Sequence, residues 1–362
     1  MAKWWERLSK SQLLVPLSAL LLLVVFNLFR DLDFFSITLA INNDGNAVLQ
    51  GNLISILDGA SELAILAIGM TLVTASSRGQ DISVGAVAAI AGSVFVRVLR
   101  GNEITLSVIL GAFLAACVAA MLCGLFNGTL VSVFKIQPMI ATLILFSAGR
   151  SIAYWINGGA TPTVDSPLLN YIGKLIPGIP IPSPILIVMA FGVLVSLVLR
   201  FTNLGLYTQA VGINEKSAHL NGINAVGIKL VTFMIIGVCA ALAGSIGVCK
   251  IGLINHEKIL LDIEMDAILA VAIGGNALGG GKFSLKGSVI GAYVIQALTT
   301  TLYAIKVPST QVKAYKAIVI ILIVVLGSPV IKAHLAKLRD TRLKPFLNKL
   351  AHKPAGAMEN QS

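Results

Sequence analysis

The sequence predicts an all-α, polytopic membrane protein with about ten transmembrane helices and pseudo-repeated halves, and three observations carry that expectation. Of the 362 residues, 56% are hydrophobic and 12% charged, against roughly 45–50% and about 25% in soluble globular chains. Mean hydropathy is +0.89. The apolar residues fall into runs of about 20, the length that crosses a hydrocarbon core. The 34 glycines suit this class, because small residues let spanning helices approach closely.

Along the chain the candidate spans are residues 13–29, 53–76, 82–98, 105–134, 138–157, 184–201, 228–250, 264–280, 286–304 and 313–331. The first follows the basic opening MAKWWERLSK and resembles a signal peptide. Its apolar run outlasts a typical h-region and no small-x-small site closes it, so it is expected to remain as a signal-anchor helix. The segment 105–134 is long for one span. The segment 264–280 is short and ends in glycines. Together they form one transmembrane domain, residues 1–331, followed by a basic tail, 332–362.

Ten spans put both termini on one side. With the N-terminus inside, the inner loops hold Arg78, Lys135, Arg200, Lys216, Lys229, Lys282 and Lys286, and the two ends add Lys3, Arg7, Lys10 and the cations of the tail. The outer loops and helix mouths hold fewer: Arg30, Arg97, Arg100, Lys174, Lys250, Lys258, Lys306, Lys313 and Lys316. That bias predicts cytoplasmic N- and C-termini. The net charge of +11 argues poorly for nucleic acid, since the cations are spread over short loops and termini. Cys117, Cys123, Cys239 and Cys249 lie in or beside apolar runs without metal-ligand spacing and read as packing residues.

A weak internal repeat is visible. Glu62-LAILAIG resembles Asp266-AILAVAIG, and each is followed by a glycine pair six apart, Gly79 with Gly85 and Gly281 with Gly287. A same-sense repeat implies two halves related by an axis along the membrane normal.

Ionisable groups inside a bilayer are costly and become functional candidates by default. Glu62, Asp81, Arg150, Glu264 and Asp266, with the amide of Asn276, are the candidates for a polar path. Asp81 opens a span and reads as a helix cap, itself or through Ser83, with Arg78 placed to pair with it. Arg150 has two readings: snorkelling to the outer surface, or facing the path and pairing with Glu62, Glu264 or Asp266. The run GGNALGGGKFSLKG, Gly274 to Gly287, is no phosphate loop, because Asn276 and Phe283 stand where glycine and a hydroxyl residue are required. It reads as a turn where two helices come close. No paired catalytic groups are visible, so no enzyme chemistry, metal or cofactor is expected.

Between two spans the chain builds the polar piece GLYTQAVGINEKSAHLNGINAVGIK, residues 205–229. Asn214 reads as an N-cap, Glu215 as a first-turn acid and Gly222 as the C′ residue of a short helix. Ala218 and Leu220 are expected on its apolar face. A helix of about two turns is not stable alone and needs a partner surface. Docking on another protein fits better than resting on headgroups, which calls for more apolar surface and more cations.

These residues resemble the cytoplasmic coupling segment of permease subunits from bacterial ABC importers of the ribose/xylose/galactose type. LAIGMTLVTASSRGQDISVGAVAAIAG, VFKIQPMIATLILFSAGRSIAY and EMDAILAVAIGGNALGGGKFSLKGSVIGA are similar to further segments of that family, in order over most of residues 53–330. The resemblance implies a multi-pass protein of the bacterial plasma (inner) membrane, working in the lipid bilayer with cytoplasmic ABC ATPase subunits. It also implies a second permease subunit, copy or paralogue, and an extracytoplasmic binding protein that delivers a monosaccharide, pentose or hexose. Gly212, Asn214, Glu215, Ala218 and Gly222 match its coupling pattern and are implied to transmit ATPase closure. Arg78 and Gln80 depart from the small and apolar residues expected beside Asp81, and Asp58 and Glu62 make the second span more acidic than the family pattern implies. An ion-gradient-driven secondary sugar carrier is the alternative, with Glu62 its best midplane carboxylate.

Overall fold

The computed structural model describes residues 13–41 and 47–327. In chain order these form α1 (Leu14–Arg30), the strands β1 (Thr38–Ile41) and β2 (Ala47–Gln50), α2 (Asn52–Gly59), α3 (Ser61–Ser77), α4 (Val84–Leu99) and α5 (Leu106–Ser132). Then come α6 (Pro138–Ile156), α7 (Pro167–Gly173), α8 (Ser183–Phe201), α9 (Leu204–Ile213), α10 (Glu215–Leu220) and α11 (Ala225–Ile251). The last are α12 (Ile263–Ile273), α13 (Leu285–Ala304) and α14 (Ser309–Gly327). A first compact unit runs to Lys316 and a second begins at Ala317. The described residues of the second are the end of α14. The expected tail at 332–362 and the residues before Leu13 lie outside the described residues.

Among the described residues, five helical stretches are long and apolar enough to cross a membrane: Asn52–Ser77, Leu106–Ser132, Pro138–Ile156, Ser183–Phe201 and Ala225–Ile251. The first is the α2–α3 pair, divided at Ala60. α1 and α4 are apolar but shorter, spanning about 25 Å at 1.5 Å per residue. All of α3 is buried. A helix apolar on every side belongs inside a bundle, and α3 is packed against α11, α12, α13, α8 and α9.

In lipid no hydrophobic force drives helix against helix, so close packing must supply the attraction. The crossing of α5 and α11 meets that need with glycine. A Cβ on Gly124 would lie 2.2 Å from the Phe233 carbonyl oxygen, and one on Gly237 would lie 2.4 Å from that of Ala120. Only bare backbone fits there.

Two expectations need correction. The chain is not wholly α: β1 and β2 pair antiparallel, Thr38 opposite Gln50 and Ile41 opposite Ala47. The segment 264–280 is not one helix. α12 ends at Ile273, about 16 Å after it begins, too short to cross a core of about 30 Å. It stops because Gly275 takes φ +79° and the Asn276 side chain ties the following turn back on itself. That amide donates to Ser288 Oγ at 2.7 Å and to Val271 O at 3.2 Å, and its oxygen accepts from Ser284 N at 2.6 Å.

Candidate functional site

The stretch 205–229 folds as two short helices and an elbow. Asn214 ends α9 and caps α10, its Oδ1 accepting from Ser217 N at 3.0 Å. Gly222 follows the helix with φ +79°, the left-handed turn that favours glycine after a C-cap. Glu215 binds two lysines: Lys135 beyond α5 at 2.8 Å and Lys229 in the second turn of α11 at 2.7 Å. Those bonds hold its carboxyl well below the usual range, down to about 2, the Lys135 contact first and the Lys229 contact next.

The two apolar residues expected on one face of α10 are on opposite ones. Ala218 is buried against Val211 and Ala225, whereas Leu220 is 90% exposed. In a helix of six residues only one stripe can be seated on α9 and α11, and position 220 falls outside it. Ala218 therefore seats α10 on its own chain, and Leu220 is the apolar side chain offered outward.

Gly212 is also turned inward. A Cβ there would fall 1.7 Å from the Ala75 carbonyl oxygen and 2.7 Å from Gly281 N. The elbow thus rests on the end of α3 and on the glycine-rich turn between α12 and α13. Arg78, just past α3, donates from Nε to Gly212 O at 2.6 Å and from Nη2 to Ile213 O. Gly281 N donates to Ala75 O at 3.0 Å, and Gln80 Nε2 to Leu278 O at 3.0 Å. Beside α10 lies a groove of about 970 Å³ lined by Arg78, Lys135, Glu215, Lys216, His219 and Val226, among others.

Arg78 therefore does not pair with Asp81. Asp81 is buried and turns on itself: Oδ1 accepts from Ser83 N at 2.8 Å and from Ser83 Oγ at 2.6 Å, while Asn127 Nδ2 donates to Ser83 Oγ at 2.9 Å. Ser83 is the N-cap residue of α4, without a side-chain capping bond. Asn276 is engaged in the α12–α13 turn.

The remaining polar candidates lie apart, and Glu62, at the start of α3, meets the end of α11. Lys250 Nζ lies 3.0 Å from Glu62 Oε1 and 3.2 Å from Asp58 Oδ1, and donates to Asp58 O at 2.9 Å. Arg150 pairs with none of the acids expected for it. Its Nη1 donates to the carbonyls of His256 at 2.8 Å, Glu257 at 3.1 Å and Ile259 at 3.1 Å, gathering the loop before α12. Asp266 is held by Lys316 at 2.6 Å. Glu264 is buried with Oε2 unpartnered among the described residues, facing the bare backbone of Gly85. The six candidates do not converge on one cavity: Glu62 stands at the start of α3, Glu264 faces Gly85 near the start of α4 just after Asp81, Arg150 reaches the loop before α12, Asp266 is held by Lys316, and Asn276 lies in the turn after α12.

Comparison with known proteins gives a consistent picture. Residues 52–327 match the family described as branched-chain amino acid transport system / permease component. The chain is 39% identical over 314 residues to the galactofuranose transporter permease protein of Escherichia coli (strain K12), covering 86% of this chain and 88% of that one. It is 34% identical over 343 residues to the fructose import permease protein of Bifidobacterium longum (strain NCC 2705), 93% of each chain. To the ribose import permease protein of Escherichia coli (strain K12) it is 35% identical over 283 residues, 76% of this chain and 85% of that one. No solved structure matches.

Proposed function

The chain belongs to the branched-chain amino acid transport system / permease component family, and from that premise we propose that it is the permease subunit of an ABC importer carrying a monosaccharide across the bacterial inner membrane. The observation that carries the reading is the near full-length similarity to permeases named for three monosaccharides, galactofuranose, fructose and ribose. In this reading ATP is hydrolysed by a separate cytoplasmic ATPase. A second permease subunit completes the path, and an extracytoplasmic binding protein delivers the sugar. The chain itself supplies about ten spans in two related halves, with both ends in the cytoplasm.

The site geometry supports a mechanical role for residues 205–229. Gly212 and Ala218 face inward and fix the seat; Asn214 and Gly222 define the ends of α10; Glu215 braces it against Lys135 and Lys229. On α10 itself the exposed apolar side chain is Leu220, with Ile213 also exposed in the elbow before it and a polar rim around both. A rigid, capped helix with one projecting apolar side chain is suited to docking into a groove of a partner. The gradient-driven carrier is less well supported, since Glu62 is engaged by Lys250.

The test is purification of the tagged chain from its host in mild detergent, with mass spectrometry of what accompanies it. A stoichiometric cytoplasmic ATPase is expected, and a second permease in the sample would identify a heterodimer. Recovery of the chain alone, together with gradient-driven sugar uptake in liposomes, would overturn the importer reading.

A further inference from the structure

The residues around Arg78 form a junction that the docking role leaves unexplained. Arg78 occupies the left-handed C-cap position of α3, with φ 59°. That conformation sends its side chain back across the end of its helix. Its stem passes Gly280, where a Cβ would come within 2.7 Å of Arg78 Cγ. Its guanidinium then meets Gly212 O and Ile213 O, the last two carbonyls of α9. Such carbonyls have no partner within their own helix and carry the negative end of its dipole. A planar guanidinium presents two N–H groups to them at once, which an ammonium cannot do in that fixed geometry. The same few residues hold the Gly281 N to Ala75 O bond and the Gln80 to Leu278 bond. Three separate pieces of chain meet here: the elbow before α10, the end of the buried helix α3, and the turn between α12 and α13.

We propose that Arg78 is a positioning residue for ATP-coupled transport: it latches the elbow of the coupling segment to α3 and to the glycine turn, so that displacement of α10 is carried into the helices of the membrane. The inference rests on the importer reading. Without the latch, α10 keeps its attachment to α11 through Ala218 and Glu215, so it still meets its partner, but α3 is released from it. Arg78 touches neither the sugar nor the nucleotide. Its loss lowers the yield of transport per ATP and leaves sugar affinity in place.

The experiment compares wild type, Arg78→Gln and Arg78→Lys as complexes purified with their ATPase and reconstituted in proteoliposomes with the binding protein. Labelled ribose, fructose and galactose are the probes, and uptake and ATP hydrolysis are measured together. For Arg78→Gln, sugar imported per ATP should fall about tenfold or more, within the range of ordinary coupling energies. The sugar concentration at half-maximal uptake should not change. Arg78→Lys, able to reach one carbonyl, should fall between the two. Wild-type uptake per ATP in Arg78→Gln overturns the latch. So does failure of both variants to assemble with the ATPase, which would make Arg78 a plain folding residue. If wild-type complexes hold no ATPase or import none of the sugars, the importer reading itself fails, and that outcome is visible before any variant is made.

Discussion

Lys229 donates from Nζ to Glu215 Oε2 at 2.7 Å across 14 residues of sequence, joining the second turn of α11 to the first turn of α10. The Lys229 side chain is only 8% exposed, while Lys135, the other partner of Glu215, is 59% exposed. That difference decides which contact matters. An exposed pair contributes little, but removing the acid leaves the Lys229 ammonium buried without a counter-charge.

Glu215→Gln should therefore destabilise the protein by about 1–2 kcal/mol, between the values for exposed and buried pairs. Lys135→Gln should cost less than about 1 kcal/mol. Thermal melting of the detergent-solubilised chain measures both. The pH dependence has a definite sign. The folded carboxyl sits near 2, below the roughly 4.3 of a free glutamate, so its stabilisation is complete above about pH 4.3 and drains away as pH falls toward 2. The melting difference between wild type and Glu215→Gln should be constant from pH 7 to pH 5 and shrink below about pH 4. A difference already gone at pH 5.5 would contradict the assigned pairing.

Lys250 is shared by Glu62 and Asp58. Lys250→Met leaves two acids close together with no cation between them, and breaking a buried pair costs about 3–5 kcal/mol. A sharp fall in melting temperature and yield is expected. Glu62→Gln keeps an oxygen for Lys250 to donate to, so it should melt near wild type and still import sugar. Loss of uptake in Glu62→Gln with unchanged melting would instead favour the gradient-driven carrier, in which that carboxylate must cycle a proton.

The long helices were legible because lipid imposes a length and an apolar composition that leave little choice. The cap of α10 was legible for a local reason: Asn214 and Gly222 stand where backbone geometry requires them. The seat of α10 was legible too, for residues two apart lie about 200° apart around a helix, and the expectation that Ala218 and Leu220 share a face overlooks that period. The end of α12 was hidden, since glycine and alanine at 274–280 continue an apolar run while their backbone turns. The two strands left only a weak signal, the turn-forming pair Asp44-Gly45 between TLAI and AVLQ, because neither run alternates and the surrounding apolar runs obscured it. From the sequence Arg78 is expected to pair with Asp81, and Arg150 to snorkel to the surface or to face the path and pair with an acid. Both in fact bind backbone carbonyls, and sequence does not show which carbonyls lie free.

Arg150 gathers the carbonyls of residues 256, 257 and 259. Hydrogen bonds to a charged donor contribute about 1.5–3 kcal/mol each, less when the groups are wet. Arg150→Gln should accordingly loosen the segment 255–262 and lower stability by about 2 kcal/mol. Hydrogen exchange should rise there first and leave α3 protected. Arg150→Lys should restore part of the protection. If exchange in 255–262 is unaltered by Arg150→Gln, the clasp is not what orders that loop.

The contrast between Ala218 and Leu220 separates seating from docking. Ala218→Trp forces an indole into the contact with Val211 and Ala225, and overpacking of that kind costs about 1–3 kcal/mol. It should lower the melting temperature of the permease on its own and disturb α10 whether or not an ATPase is present. Leu220→Asp changes a side chain that is 90% exposed, so the permease alone should melt within about 0.5 kcal/mol of wild type. A central apolar anchor commonly contributes about 2 kcal/mol or more to an interface, so ATPase recovery in a pull-down should fall by more than tenfold. Loss of ATPase with intact melting in Leu220→Asp locates the docking surface on the outer stripe of α10. Full recovery of ATPase with Leu220→Asp would place the contact elsewhere on the polar rim, and α10 would then act as a strut between α9 and α11.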